Sequence, residues 1–253
     1  MDKKAINDEI SRYWTEGSDD YDSHHAHGLQ SEEEKQAWLD FLKKIIPSGS
    51  KKILDVGAGT GFLTLLLAEL GYEVRSLDLS EGMQDKAKRK AKESGLEDKI
   101  SFVIGDAEDT KEPSDAYDVV INRHLLWTLP HPYEDMKEWL RVTKPGGAVI
   151  VIDGDWANQS TELKKKIEEK KKAEGENGHG GRKYSDELKD VLPLNSGQKR
   201  PADFIAMVKD DGYEVDVYDL ANVEVVEKKL FREDLYIQSD EYRRDAYFIH
   251  KPL

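Results

Sequence analysis

The chain has 253 residues, 38% hydrophobic and 36% charged, with a formal net charge of −14 and no cysteine. That length can bury a substantial core as one α/β domain, and the lack of cysteine removes disulfides, thiolate metal sites and cysteine nucleophiles. The acidic balance opposes a nucleic-acid partner, whose phosphates need clustered Lys and Arg.

Residues 1–46 read as helices around a charged, aromatic-bearing loop. Trp38, Phe41, Leu42, Ile45 and Ile46 fall at amphipathic spacing, and Pro47 with Gly49 ends that helix. No signal-peptide core is visible in the first residues, and no later stretch approaches the ~20 apolar residues that span a bilayer. A cytoplasmic protein without membrane segments is therefore expected. Residues 52–57 form a short apolar run that enters a glycine-rich turn, hence a buried strand. A helix over Phe62–Leu70, stopped by Gly71, is followed by a strand over Glu73–Leu79, a helix over Glu81–Ser94 and a strand over Ile100–Ile104. A strand over Asp118–Asn122, a helix over Tyr133–Val142 and a strand over Ala148–Ile152 come next, the last after the Pro145-Gly146-Gly147 turn. Residues 155–200 break the rhythm: they are polar, glycine-bearing over Gly175–Gly181, and hold one charged helix. In that helix Glu168 and Glu169 interrupt the lysines of Lys164–Lys172, as on a solvated helix face rather than a phosphate-binding patch. A helix over Pro201–Asp211, a strand over Tyr213–Leu220 and a terminal strand near Ala246–His250 complete the chain.

Strands alternating with helices predict an α/β fold: a doubly wound, seven-stranded, mostly parallel sheet with helices on both faces. Within a single domain, residues 1–46 are expected to form an amino-terminal cap or lid and 50–153 a cofactor-binding core. Residues 155–200 are expected as an insertion over the active site, and 201–253 to complete the sheet.

The most informative segment is Asp55-Val56-Gly57-Ala58-Gly59-Thr60-Gly61. A buried strand runs into three alternating glycines and then a helix, so backbone N–H groups can approach a ligand at the helix amino terminus. The dinucleotide fingerprint G-x-G-x-x-G would require glycine at 62, where this chain has Phe62, which disfavours a nicotinamide-dependent oxidoreductase. A carboxylate at Asp78, ending the second strand, can accept both hydroxyl protons of a ribose.

The G-x-G-x-G segment resembles motif I of the class I S-adenosylmethionine-dependent methyltransferases, small-molecule branch, of the type found in ubiquinone and menaquinone biosynthesis. The likeness covers roughly residues 50–153. It implies that Asp55, Gly57, Gly59 and Gly61 build the cofactor loop and that Asp78 binds the ribose, with Leu79 and Met83 against the adenine. Gly105-Asp106-Ala107 resembles the segment whose acid accepts from the adenine amino group. Tyr117–Asn122 resembles the strand that borders the methyl donor, ending at Asn122. Lys144-Pro145-Gly146-Gly147 is similar to the family's turn before strand five. S-adenosylmethionine is then the implied cofactor and a small molecule the implied methyl acceptor. A non-catalytic S-adenosylmethionine-binding regulatory protein and a macromolecule methyltransferase stay open as alternatives; oligomeric state is not legible.

On the acceptor side, ligands in such sheets bind beyond the strand carboxyl ends. Candidates there are Asn122, Arg123, His124 and Trp127 after strand four, and Asp153, Asp155 and Trp156 after strand five. His124 could act as a general base or be structural, and Arg123 lies beside it. Tyr13, Trp14, Tyr21, His24, His25 and His27 suggest a lid over residues 13–28, with Tyr21 shielding the cofactor and His24 reaching the acceptor. Three histidines can hold zinc, but the helical His-x-x-x-His spacing is absent and no metal is expected.

Overall fold

The computed structural model describes residues 1–24, 26–154, 159–174, 183–194 and 200–253. In chain order it contains α1 (Lys3–Gly17), α2 (Glu32–Ile45), β1 (Lys52–Val56), α3 (Phe62–Glu69), β2 (Glu73–Asp78), α4 (Glu81–Glu93), β3 (Ile100–Ile104) and β4 (Tyr117–Arg123). There follow α5 (Pro132–Val142), β5 (Thr143–Gly154), α6 (Thr161–Glu174), α7 (Asp186–Lys189), α8 (Ala202–Asp210), β6 (Val215–Asp219), α9 (Ala221–Leu230), α10 (Leu235–Gln238) and β7 (Arg244–His250).

The strands form one seven-stranded sheet in the order β3-β2-β1-β4-β5-β7-β6. The first five are parallel, and β7 runs antiparallel to both β5 and β6. Because β1 is paired on both edges and covered on both faces, its run Ile53–Val56 is fully buried and reads as unbroken apolar sequence around one acid. Successive residues of a strand point to opposite faces. Ile53, Val119, Ile121 and Ile150 accordingly pack with Trp38, Leu42 and Leu66 under α2 and α3. Leu54, Val120 and Val149 pack with Met136, Trp139 and Phe204 under α5 and α8.

Strand order reverses between β1 and β4, with β2 and β3 to one side and β5, β7 and β6 to the other. The crevice beyond the carboxyl ends of β1 and β4 is the place where such sheets bind ligands. α1 lies over this crevice. It packs Ile6, Ile10 and Tyr13 against Tyr184, Leu188 and Leu192 of the 183–194 segment, and Ser185 donates from both N and Oγ to Glu9.

The helices α9 and α10 lie between β6 and β7, in a stretch to which the sequence pattern assigns no element. α9 carries Val223, Val225 and Val226, β-branched residues that favour strands. It holds as a helix because Val223 and Val226, three apart, are buried on one face while Val225 is 55% exposed. α6 shows the expected solvated character: Lys166 pairs with Glu162 at 2.7 Å and Lys172 with Glu168 at 2.6 Å, both one turn apart. The expectation for Gly175–Gly181 falls outside the described residues.

Candidate active site

A cavity opens at the strand-order reversal. Gly57 and Gly59 form its floor, both with left-handed backbone (φ +65° and +56°). A Cβ at Gly57 would sit 2.5 Å from Leu125 Cδ1 and displace that side chain, and the positive φ strains any other residue there; one at Gly59 would meet nothing within 4 Å beyond its chain neighbours. The turn is held by Ala58 N donating to the Leu77 carbonyl and Gly61 N to the Ala58 carbonyl.

Asp78 ends β2 beside these glycines. Its Oδ2 accepts from Gly59 N at 2.7 Å and its Oδ1 from Ser80 N at 2.8 Å, while Ser80 caps α4 by accepting from Met83 N. One carboxylate thus fixes the loop and the helix start together, and each oxygen keeps a further lone pair for a ligand hydroxyl. Loss of hydration in the crevice pushes its pKa up to about 6, against the two N–H donors. Leu79 and Met83 line the wall next to it, and Asp106 and Ala107 the wall opposite. Asp106 accepts from Glu108 N at 3.0 Å and from Asn7 Nδ2 at 2.9 Å, with Lys3 Nζ 3.1 Å away. Desolvation opposes its charge, but those donors win and hold Asp106 below the usual carboxylate range.

Among the residues singled out in the sequence, Asp55, Gly61, Asn122 and His24 lie off the cavity wall. Asp55 is buried behind the glycine loop, where its Oδ2 accepts from Thr64 Oγ1 at 2.6 Å and ties β1 to α3. Burial raises its pKa to about 7, with Asp78 adding to the rise and Thr64 opposing it. Gly61 caps α3 with φ +84°, and a Cβ there would approach Ala87 Cβ to 3.0 Å, so it serves close packing of α3 on α4. Asn122 is fully buried within β4, neither end of its amide meeting a hydrogen-bond partner. On alternation it shares the face of Val120. His24 places Nδ1 3.3 Å from the Tyr21 carbonyl, outside the lining.

The amino-terminal segment closes the top. Ser11 Oγ donates to the Leu79 carbonyl, and the Thr15 and Ser80 hydroxyls lie 2.9 Å apart. Lys86 Nζ donates to the Ser18 carbonyl, and Asp22 bridges Thr60 Oγ1 at 2.5 Å and Lys90 Nζ at 3.0 Å. Tyr21 lines the cavity, its ring against Trp14 and His27. Burial raises its phenol to about 12, so it stays neutral.

On the acceptor side, Arg123 borders the cavity but is already engaged. Its Nη1 donates to the Ala26 carbonyl at 2.8 Å and its Nη2 reaches the His27 carbonyl at 3.5 Å. Its guanidinium carbon stands 3.8 Å from the Phe62 ring centre. It therefore anchors the 26–27 loop to the sheet. His124 also borders the cavity and adopts φ +57°, a positive φ shared by Ala26, Lys111 and Asp115 elsewhere in the chain. Desolvation, then the charges of Arg123 and Arg244, push its imidazole well below the ordinary histidine range, so it is neutral at pH 7. Trp127 packs on Trp14 and Tyr184 rather than lining the cavity. Asp153 is buried, with Arg200 Nε 3.4 Å from Oδ1; burial lifts its pKa to about 6 and Arg200 opposes that. His25, Asp155 and Trp156 fall outside the described residues. Among the described residues no group of three His, Asp or Glu side chains is arranged to hold a metal ion. Nor is any helix among them long and apolar enough to cross a membrane.

Lining residues that sequence reasoning passed over are Asn7, Ile10, Thr128 and Asp135. The first two come from α1, whose amphipathic register (Ile6, Ile10, Tyr13) is readable but whose target is not. Asp135 sits in the first turn of α5, where an acid usually signals only a favourable helix dipole.

Fold and glycine-loop cavity together have the architecture of the Rossmann-like methyltransferases. Geranyl diphosphate C-methyltransferase from Streptomyces coelicolor A3(2) superposes with a TM-score of 0.60 at 17% identity, over 97% of this chain and 98% of that one. More particularly, residues 54–151 match the model of the methyltransferase domain family. Demethylmenaquinone methyltransferase of Clavibacter sepedonicus is 32% identical over 146 residues, 57% of this chain and 58% of that protein. Ubiquinone biosynthesis O-methyltransferase of Azoarcus sp. (strain BH72) is 31% identical over 147 residues, 58% of this chain and 59% of that protein. The matches therefore span less than two thirds of these curated relatives.

Proposed function

We propose that this chain transfers a methyl group from S-adenosylmethionine to a small-molecule acceptor. One observation carries the reading: Gly57, Gly59, Asp78, Leu79 and Asp106 meet around a single cavity at the strand-order reversal. The residues present fit the cofactor. Gly59 leaves open space where a side chain would stand, Asp78 retains acceptor capacity for ribose hydroxyls, and Leu79 with Met83 offers an apolar wall for a base. When bound, the sulfonium supplies a methyl carbon already activated for in-line displacement, so positioning accounts for much of the rate.

The chain's own residues orient the reactants, exclude water and handle a proton. Tyr21 and Trp14 roof the cavity, and the 1–46 segment acts as its lid, with residues 183–194 packed on α1 behind it. His124, neutral and facing the cavity, offers a base. A base whose own pKa is depressed removes a proton readily only from a group that is already acidic, such as a phenol or an enol. The net charge of −14 and the absence of cysteine support a metabolite acceptor and a cytoplasmic address rather than a nucleic-acid substrate. The test is a screen of metabolite pools fed with S-adenosylmethionine, scored for a methyl mass gain and for release of S-adenosylhomocysteine. Binding of S-adenosylhomocysteine without any turnover would favour a regulatory binding protein instead.

A further inference from the structure

Asp106, which the family resemblance assigns to the base, is partly committed: Glu108 N donates to Oδ1, which keeps one further lone pair, while Asn7 Nδ2 and Lys3 Nζ crowd Oδ2. An acid short of partners borders the same cavity. Asp135 is 1% exposed, lines the cavity, and its Oδ2 has no hydrogen-bond partner. One turn later on the same helix face, Trp139 Nε1 donates to the Ala107 carbonyl at 3.1 Å, which pins α5 against the Asp106–Ala107 wall.

An orphaned carboxyl oxygen in a buried place is costly unless a ligand completes it. Burial, followed by the charges of Glu108 and Asp106 from the facing loop and of Glu134 on its own helix, drives the Asp135 carboxyl well above its ordinary range. Lys3 of α1 is the cation that opposes this. A neutral carboxyl presents one O–H donor beside one acceptor oxygen. Adenine presents the complement, an amino N–H donor beside a ring-nitrogen acceptor.

We propose that Asp135 reads the amino-bearing edge of the adenine, as a base-specificity residue at the wall shared with Asp106. This rests on the assignment of the cavity to S-adenosylmethionine. It turns an acid that weakens the unliganded fold into a ligand contact.

The experiment is calorimetric titration of the full chain with S-adenosylhomocysteine and with its 6-deamino analogue, which carries purine in place of adenine. The wild type is expected to prefer the amino compound by about tenfold or more, the scale of one buried hydrogen bond. Asp135→Ala is expected to lose most of that preference. Asp135→Leu, an apolar replacement of similar volume, serves as the second variant should the alanine variant fold poorly. Asp135→Asn should keep the preference, since a carboxamide offers the same donor and acceptor pair. In the absence of ligand, the leucine and asparagine variants should melt no lower than the wild type. A wild-type preference retained in Asp135→Ala or Asp135→Leu overturns the role of Asp135 while leaving the cofactor assignment intact. Failure of the wild type to bind either compound overturns the cofactor assignment, and this role with it.

Discussion

From Ile53 to Ala107 one continuous run of chain supplies the glycine loop, the Asp78 carboxylate, the Leu79 and Met83 wall and the Asp106 segment. The other side of the cavity is assembled differently: Tyr21 and the 26–27 loop come from the amino terminus and Arg123 and His124 from the end of β4, with Tyr184, far down the chain, bonded to Thr128. In the first region each functional atom is fixed by a neighbour in sequence or in the next strand, as Asp78 is by Gly59 and Ser80. In the second, position depends on long-range contacts such as Arg123 on the Ala26 carbonyl and Thr128 on Tyr184. A site built locally can be recognised from spacing; one built from remote pieces shows only its residue types.

The largest expected effect tests the cofactor side as a structural unit. Asp55 keeps its proton up to about pH 7 in the fold, whereas in the unfolded chain it ionises near the ordinary aspartate value of ~4. Between those values the folded state binds the extra proton, so this group's contribution to stability falls as pH rises and is flat above about 7. Asp55→Asn removes that decline. Relative to the wild type, its unfolding free energy should gain on the order of 2–4 kcal/mol between pH 4 and 7 in denaturant titrations. A pH-independent difference would place Asp55 in solvent contact.

On the acceptor side, Arg123→Ala removes two contacts to backbone carbonyls and a stacked guanidinium. A loss of about 2–3 kcal/mol in folding stability is expected, with greater hydrogen exchange over residues 26–30. Lost turnover with an unchanged melting temperature would instead make Arg123 a catalytic group. Asp78→Ala is expected to weaken S-adenosylhomocysteine binding by roughly 1.5–3 kcal/mol while the fold survives. Unchanged affinity in a folded variant would mean that the ribose is held elsewhere.

The seven strands and the sheet that joins them could be read from the sequence because parallel strands covered on both faces, such as Ile53–Val56 and Val119–Ile121, are short, mainly apolar runs, the first of them ending in a glycine turn. α9 and α10 were not legible: valine-rich α9 has a strand-like composition, and only its packing on α2 makes it a helix. The loop glycines, Asp78 and Asp106 could be found from spacing. Asp55 and Gly61 belong to the same motif yet serve the loop from behind, a distinction that only burial reveals. The buried pair of Arg244 Nη2 and Glu227 Oε2, 2.5 Å apart beneath Trp38, left no signal, because charged residues so far apart in sequence read as surface.

The smallest expected effect lies where the two regions meet. Asn7→Ala removes one hydrogen bond between α1 and Asp106 and should weaken cofactor binding by about 0.5–1.5 kcal/mol. Amides in residues 13–24 should gain protection when S-adenosylhomocysteine is added, as a lid closing over its ligand requires. Equal protection with and without ligand would make this segment a permanent cap.

Calorimetric titration of the wild-type chain with S-adenosylhomocysteine and, separately, with NAD bears most directly on the cavity's assignment. Saturable binding of the sulfur nucleoside at one site per chain is expected, with no heat from NAD. Saturable binding of NAD with no response to S-adenosylhomocysteine would contradict it.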